Sequence, residues 1–225
     1  MSRIRAVLVA ATCVLLAVLT GCSSSTAPPS TQPGQSGQPG ASSQPSQLND
    51  SNGAGPYEGI GLVPAQPRPS FTLTDEAGAP FSFGQRTAGH PTLLYFGYTN
   101  CPDVCPATMA DISLALKSLP QALQRETYVV FVSTDVEHDT GPVIKRWLSN
   151  FSPNTSATFV GLRGTQAQID AAQTAAHVTV AEDSGQTHSA VVLLYGHDDY
   201  ARVSFAVSNN EQAQIAHDVP VVARA

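Results

Sequence analysis

The chain has 225 residues, 42% hydrophobic and 12% charged, with 17 Asp and Glu against 11 Lys and Arg for a formal charge of −6. That acidic balance argues against a nucleic-acid partner, which requires a basic face. The length leaves room for one domain with a real core once an atypical N-terminal segment is set aside.

That segment opens with Arg3 and Arg5, an apolar run from Ala6 to Leu19, and Leu19-Thr20-Gly21-Cys22. Charged start, short apolar stretch and small residues at a cleavage point define a signal peptide over residues 1–21. The apolar run falls short of the about 20 residues a membrane span needs. A cysteine directly after a small residue resembles a bacterial lipoprotein box. Cleavage before Cys22 and diacylation there would anchor the chain on the outer face of a membrane; the competing reading is an ordinary secreted protein that begins with Cys. Loss of 1–21 takes Arg3 and Arg5 from the eleven basic residues, leaving nine against seventeen acidic ones, a charge of −8. Residues 22–57 are almost all Ser, Pro, Gln, Gly and Thr, with too little apolar surface to offset the entropy of ordering. They read as a disordered tether whose mean reach is on the order of 30–35 Å.

The folded domain is expected over residues 58–225. Phe71–Thr74 and Pro80–Phe83 flank the turn Asp75-Glu76-Ala77-Gly78 and predict an opening β-hairpin. Thr92–Tyr98 is a nearly continuous apolar run suited to a buried strand; it leads into a cysteine loop and a helical pattern at Met109, Ile112, Leu116 and Leu119 that stops at Pro120. Tyr128–Val132 is a second buried strand, followed by an acidic run from Asp135 to Thr140 and a helix with Pro142 in its first turn, reaching about Asn150. A strand over Ala157–Leu162 and a helix from Gln166 to His177 repeat the alternation. Strands at Thr187–Tyr195 and Ala201–Val207 flank Gly196-His197-Asp198-Asp199, a hairpin turn, and a short helix near Asn210–Val219 closes the chain. Alternating strands and helices imply an α/β fold, a central mixed sheet with helices on both faces and an antiparallel final hairpin. A cysteine pair where a central strand runs into a helix is the thioredoxin-like arrangement, and ligands of such sheets bind at the carboxyl ends of the strands.

Tyr98-Thr99-Asn100-Cys101-Pro102-Asp103-Val104-Cys105-Pro106 holds the two cysteines left to the mature chain, since Cys13 and Cys22 lie in the export segment. Residues four apart share a face of a first helical turn, so both sulfurs are able to aim at one point. The helix N-terminus lowers cysteine pKa and favours thiolate. Two thiolates at one point suit a disulfide or a soft metal; a permanent structural disulfide in an oxidising compartment is the plainer alternative.

This motif resembles the signature of the Sco/SenC family of copper-binding proteins. Ser133-Thr134-Asp135-Val136-Glu137-His138-Asp139-Thr140 resembles that family's acidic loop, and Ser149-Asn150-Phe151 the end of its following helix. The similarity runs from about Ser70 to Val219. It implies a metal-binding histidine before the penultimate strand, where Thr187-His188-Ser189-Ala190 stands, and so makes His188 the third ligand beside Cys101 and Cys105. His188 also occupies what looks like the place of the cis-proline of thioredoxin-like relatives. Two thiolates and an imidazole suit Cu(I), with a further weak ligand for Cu(II); zinc would ask for a fourth protein ligand. By resemblance Asp135 has some functional standing, as a tuning or partner-contact residue outside the ligands, against the plainer reading of a solvated loop that caps the Pro142 helix. His90, His138, His177, His197 and His217 read as solvated. Val136 stands where the family often has proline, and Gly196–Asp199 replaces its usual Asp-Pro-x-Gly turn; both lie outside the ligand set.

The resemblance implies a membrane-tethered copper metallochaperone whose recipient is the copper-receiving subunit of cytochrome c oxidase. The alternative is a thiol–disulfide oxidoreductase using Cys101 and Cys105 as a redox pair to reduce a copper-receiving partner. A peroxidase is disfavoured, because no Arg stands near the motif to activate a peroxidatic cysteine.

Overall fold

A computed structural model describes residues 55–185, 189–206 and 211–225. In chain order these form β1 (Ile60–Pro67), β2 (Thr72–Asp75), β3 (Pro80–Ser82), α1 (Phe83–Arg86), β4 (Thr92–Gly97), α2 (Val104–Lys117), α3 (Gln121–Glu126) and β5 (Tyr128–Ser133). There follow α4 (Gly141–Leu148), β6 (Thr158–Arg163), α5 (Gln166–Ala175), β7 (Val191–Tyr195), β8 (Tyr200–Ala206) and α6 (Glu211–Val222), with short 3-10 turns at Ser152–Asn154 and Asp183–Gly185. The strands make one mixed sheet in the order β1-β8-β7-β4-β5-β6-β2-β3.

β4 and β5 run parallel at its centre, with β6 parallel beyond β5 and β7 antiparallel on the other side of β4. All six residues of β4 and five of six in β5 are buried, which is why both read as unbroken apolar runs: a central strand covered on both faces has no solvent side to alternate toward. Successive side chains still point to opposite faces. Leu93, Tyr95, Val129 and Phe131 pack under residues of α2, α4 and α6, among them Met109, Ile112, Leu116, Ile144 and Ile215. Leu94, Phe96, Val130 and Val132 pack on the other face with Phe83 and with Ile169 and Ala172 of α5. The thioredoxin-like α/β sheet with helices on both faces is as expected.

Three local expectations change. The hairpin forms as β2–β3 with Leu73 opposite Phe81, but Phe83 already begins α1, and the pair closes the β6 edge rather than opening the sheet. A strand before it, β1, escaped the sequence because Pro64 and Pro67 interrupt it. Proline is tolerated there because β1 is an edge strand, bonded only to β8 and with its register shifting between Gly61 and Gln66. The domain's contacts also start one residue earlier than expected. Tyr57 packs against the core, and the N–H groups of Glu58 and Gly59 donate to the buried carboxylate of Asp218 at 2.9 and 2.8 Å.

Arg68 fastens the exit of β1. Its side chain is only 3% exposed and pairs with Asp199 at 2.7 Å. It also donates to the Thr87 hydroxyl and to the carbonyls of His90 and Gly196, and it lies 5.0 Å from the centre of the Tyr195 ring. Arg68→Met would strand these acceptors at a cost of about 3 kcal/mol, discounted for the half-exposed Asp199. A melting-temperature loss of roughly 6–12 °C is expected by calorimetry; an unchanged Tm would show that the guanidinium clamp is dispensable.

Candidate metal centre

At the carboxyl end of β4 the chain rises through Tyr98–Asp103 and turns down into α2. Asp103 stands at the N-cap but makes no side-chain capping bond. Instead the Cys101 sulfur accepts the N–H of Cys105, the second residue of the helix, at 3.4 Å. Cys101 thus does the work of a capping side chain, satisfying a donor that the helix itself leaves unpaired. Pro106 is the third residue of the helix, where the missing N–H would have had no intrahelical partner.

The two cysteines are thiols, not a disulfide, and they are unequal: Cys101 is partly exposed and Cys105 is fully buried. Burial acts to raise the Cys101 thiol, but the N–H groups of Cys105 and Asp103, helped by the Cys105 and Tyr98 side chains, outweigh it and hold the thiol below its ordinary value. Burial pushes Cys105 up to about 12, with the charge of Cys101 adding to the rise and the Tyr95 hydroxyl opposing it. That hydroxyl donates to the Cys105 sulfur at 3.4 Å from beneath, on β4. The sulfur sits so close to the strand that a Cβ on Gly97 would lie 2.9 Å from it. Glycine at the last position of β4 is what lets the helix settle over the strand end.

The acidic run after β5 divides in two. Asp139 is buried, and its carboxylate accepts the N–H of Thr99 at 2.9 Å and the hydroxyls of Thr99 and Ser133 at 2.5 Å each. It moors the cysteine loop to the neighbouring strand. Asp135 is also buried, but it turns toward its own loop, accepting the N–H groups of Glu137 and His138 and pairing with the His138 ring at 2.9 Å. Neither aspartate is solvated, a correction to the plainer reading; a carboxylate surrounded by donors is stable inside. Asp139, which the sequence did not single out, is the one that touches the cysteine loop.

His188 lies outside the described residues, and so does the start of the strand expected from Thr187. The chain up to Gly185 is fixed at the same end of the sheet. The Thr134 hydroxyl donates to the Gly185 carbonyl at 2.6 Å, while the Thr134 N–H donates to the Gly97 carbonyl at 2.8 Å. Gly185 has φ +87, and a Cβ there would lie 2.0 Å from the Thr134 oxygen, so the turn requires glycine. From Ser189 the chain enters β7, whose Val192 pairs with Tyr95. Among the described residues no three His, Cys, Asp or Glu gather closely enough to hold a metal.

The other histidines are mostly more than solvated. Asp135 raises the pKa of exposed His138, by hydrogen bond first and charge second; Asp218 does the same for His217 by its hydrogen bond. His90 meets the Glu126 carbonyl at 3.1 Å, His197 lies 3.9 Å from the Glu126 carboxylate, and His177 is exposed at the end of α5.

Residues 63–223 match the SCO1/SenC family. Protein SenC of Rhodobacter capsulatus is 37% identical over 115 residues, 51% of this chain and 49% of that protein. The SCO2-like protein of Rickettsia prowazekii is 35% identical over 99 residues, 44% of this chain and 45% of that protein. The chain thus spans about half the length of the curated relatives it matches. The structure of Bradyrhizobium japonicum ScoI with copper bound is similar at 30% identity and a TM-score of 0.57, covering 69% of this chain and 98% of that one.

The inequality of the thiols has a direct readout. With burial holding Cys105 up near 12 and hydrogen-bond donors holding Cys101 below its ordinary value, the thiolate of the pair at neutral pH is carried by Cys101. Iodoacetamide should therefore modify Cys101, in the Cys105→Ser variant, faster than the buried Cys105 in the Cys101→Ser variant. Equal rates would contradict the assignment. Asp139→Ala should release the loop, strand three donors and lower stability by about 2–4 kcal/mol in a urea titration; a loss under 1 kcal/mol would leave the mooring without energetic weight.

Proposed function

The chain belongs to the SCO1/SenC family, and on that premise we propose that it is a copper carrier. Cys101, Cys105 and His188 bind the ion. A lipid on Cys22 holds the domain at the outer face of the cytoplasmic membrane, and the copper-receiving subunit of cytochrome c oxidase takes the cargo. The family is involved in copper binding and cytochrome c oxidase assembly, and the related ScoI structure has copper bound. Among the described residues no helix is long and apolar enough to cross a membrane; the anchor is argued from Cys22 and its leader alone.

One observation carries this reading: two thiols not joined in a disulfide share the turn into α2, tied by the Cys105 N–H on the Cys101 sulfur. Thiolates select soft ions, and a third donor from His188 would complete a set suited to Cu(I). What supports that donor is that Gly185, three residues before it in sequence, is bonded by Thr134, which also bonds the last residue of β4. Asp135, held by its own loop and His138, acts outside the ligands; Asp139 steadies the loop that carries them.

The test is a copper titration of the reduced protein followed by optical absorption and electron paramagnetic resonance, beside Cys101→Ser, Cys105→Ser and His188→Ala. One equivalent with a Cu(II)–thiolate charge-transfer band, lost in all three variants, is the expected result. Failure of the reduced wild type to take up stoichiometric copper would overturn the carrier reading; loss in the cysteine variants but not in His188→Ala would remove the third ligand. Because both thiols give up protons on binding, affinity should fall by roughly a hundredfold per pH unit toward acid, the direction set by proton competition.

The unequal thiols favour one second reading, reduction of a partner's disulfide. The Cys101 thiolate would attack one partner sulfur, forming a mixed disulfide and expelling the other partner sulfur as a thiolate. Cys105, losing its proton, would then displace the first partner sulfur and close the Cys101–Cys105 disulfide. Two electrons pass to the partner, whose two thiolates take up protons. Reduction of a peptide disulfide by the His188→Ala variant, with copper uptake lost, would make the two activities separable.

A further inference from the structure

Tyr95 lies in the middle of β4 and reads in the sequence as one more core residue. It is fully buried, and its ring stands at one end of an aromatic row. Tyr95 to Phe131 is 6.1 Å between ring centres, Phe131 to Trp147 4.6 Å, and Trp147 to Phe151 4.9 Å. The row fixes the direction of the phenol, and its hydroxyl points at the Cys105 sulfur, 3.4 Å away. Cys105 is equally buried, and Gly97 leaves no side chain between the sulfur and the strand. A buried sulfur that must change between thiol, metal thiolate and disulfide meets here a donor that cannot move away.

We propose that Tyr95 is a positioning residue whose hydroxyl holds the Cys105 sulfur and, by donating a hydrogen bond to it, stabilises the reduced pair and lessens the electron density the sulfur gives to any bound copper. A donor to a ligand sulfur tunes a thiolate metal site without touching the metal. Thiols and thiolates accept such a bond better than a disulfide sulfur does, so the bond favours the dithiol. The inference concerns copper only through the carrier reading above, but its effect on the cysteine pair exists without any metal.

The experiment is Tyr95→Phe, which keeps the ring and the aromatic row and removes only the hydroxyl. In the metal-free protein the Cys101–Cys105 pair is equilibrated with glutathione. The two thiols lose two electrons and two protons to form the disulfide, and one oxidised glutathione is reduced to two thiols. Tyr95→Phe should shift this equilibrium toward the protein disulfide by about fivefold. In the copper-loaded protein the Cu(II)–thiolate band should move to longer wavelength, because a more electron-rich sulfur gives up an electron more easily. The control is Tyr195→Phe, an equally buried tyrosine whose hydroxyl has no hydrogen-bond partner among the described residues; it should leave both readouts at the wild-type value. A glutathione equilibrium unchanged in Tyr95→Phe, or shifted as much by Tyr195→Phe, overturns the proposal. Should the wild type take up no copper, the carrier reading fails by itself, while the glutathione equilibrium still decides the role of Tyr95.

Discussion

The contact on which the site depends is the descent of α2 onto the end of β4, with the Cys105 sulfur against Gly97. A Cβ at that point would meet the sulfur at 2.9 Å, the Tyr95 ring at 3.1 Å and the Phe131 ring at 3.3 Å. Three side chains therefore close over one missing methyl. Because the helix starts there, its free N–H groups fall beside Cys101, and the sulfur of that residue caps the helix in place of Asp103. The same step buries Cys105 and exposes Cys101. The chemical difference between the thiols follows from where the helix begins, since the residues themselves are identical.

A second strand end organises the surroundings. Ser133, Thr134 and Asp135 follow one another at the end of β5, and each faces a different task. Ser133 joins Thr99 in holding the Asp139 carboxylate. Thr134 reaches Gly97 with its N–H and Gly185 with its hydroxyl, so one residue fastens both the exit toward the cysteine loop and the segment leading to His188. Asp135 closes its own loop and holds His138. Parallel neighbours with ends at one level make this possible, for Gly97 pairs with Ser133 in the ladder. Ligand loops at the carboxyl ends of such strands are thus braced by the next strand over.

Much of this was legible because it was local. Apolar runs marked β4 and β5, Pro142 marked the start of α4, and the cysteine spacing marked the helix entry. What escaped depends on contacts distant in sequence. β1 carries two prolines that speak against a strand, and only its edge position beside β8 and the clamp from Arg68 to Asp199 make it one. The acidic run could be recognised as a group, but which carboxylate faces the cysteine loop is decided by Thr99, forty positions earlier. Tyr95 carries no motif at all. Its hydroxyl is hidden in an apolar strand, and its partner is known only once α2 lies over it.

Were the pair to bind copper or exchange disulfides as proposed, the burial of Cys105 would set one order of events for both. No partner protein reaches a sulfur with no exposed surface, so an intermolecular bond must form first at Cys101. A copper ion taken up by this pair would also meet Cys101 first, because that thiol is partly exposed and already inclined to lose its proton. Cys105 gives up its proton only with help, since burial holds it near 12. A cation bound at Cys101 supplies that help through its charge, and a mixed disulfide at Cys101 supplies it by removing the neighbouring negative charge. In both cases the second bond would wait on the first.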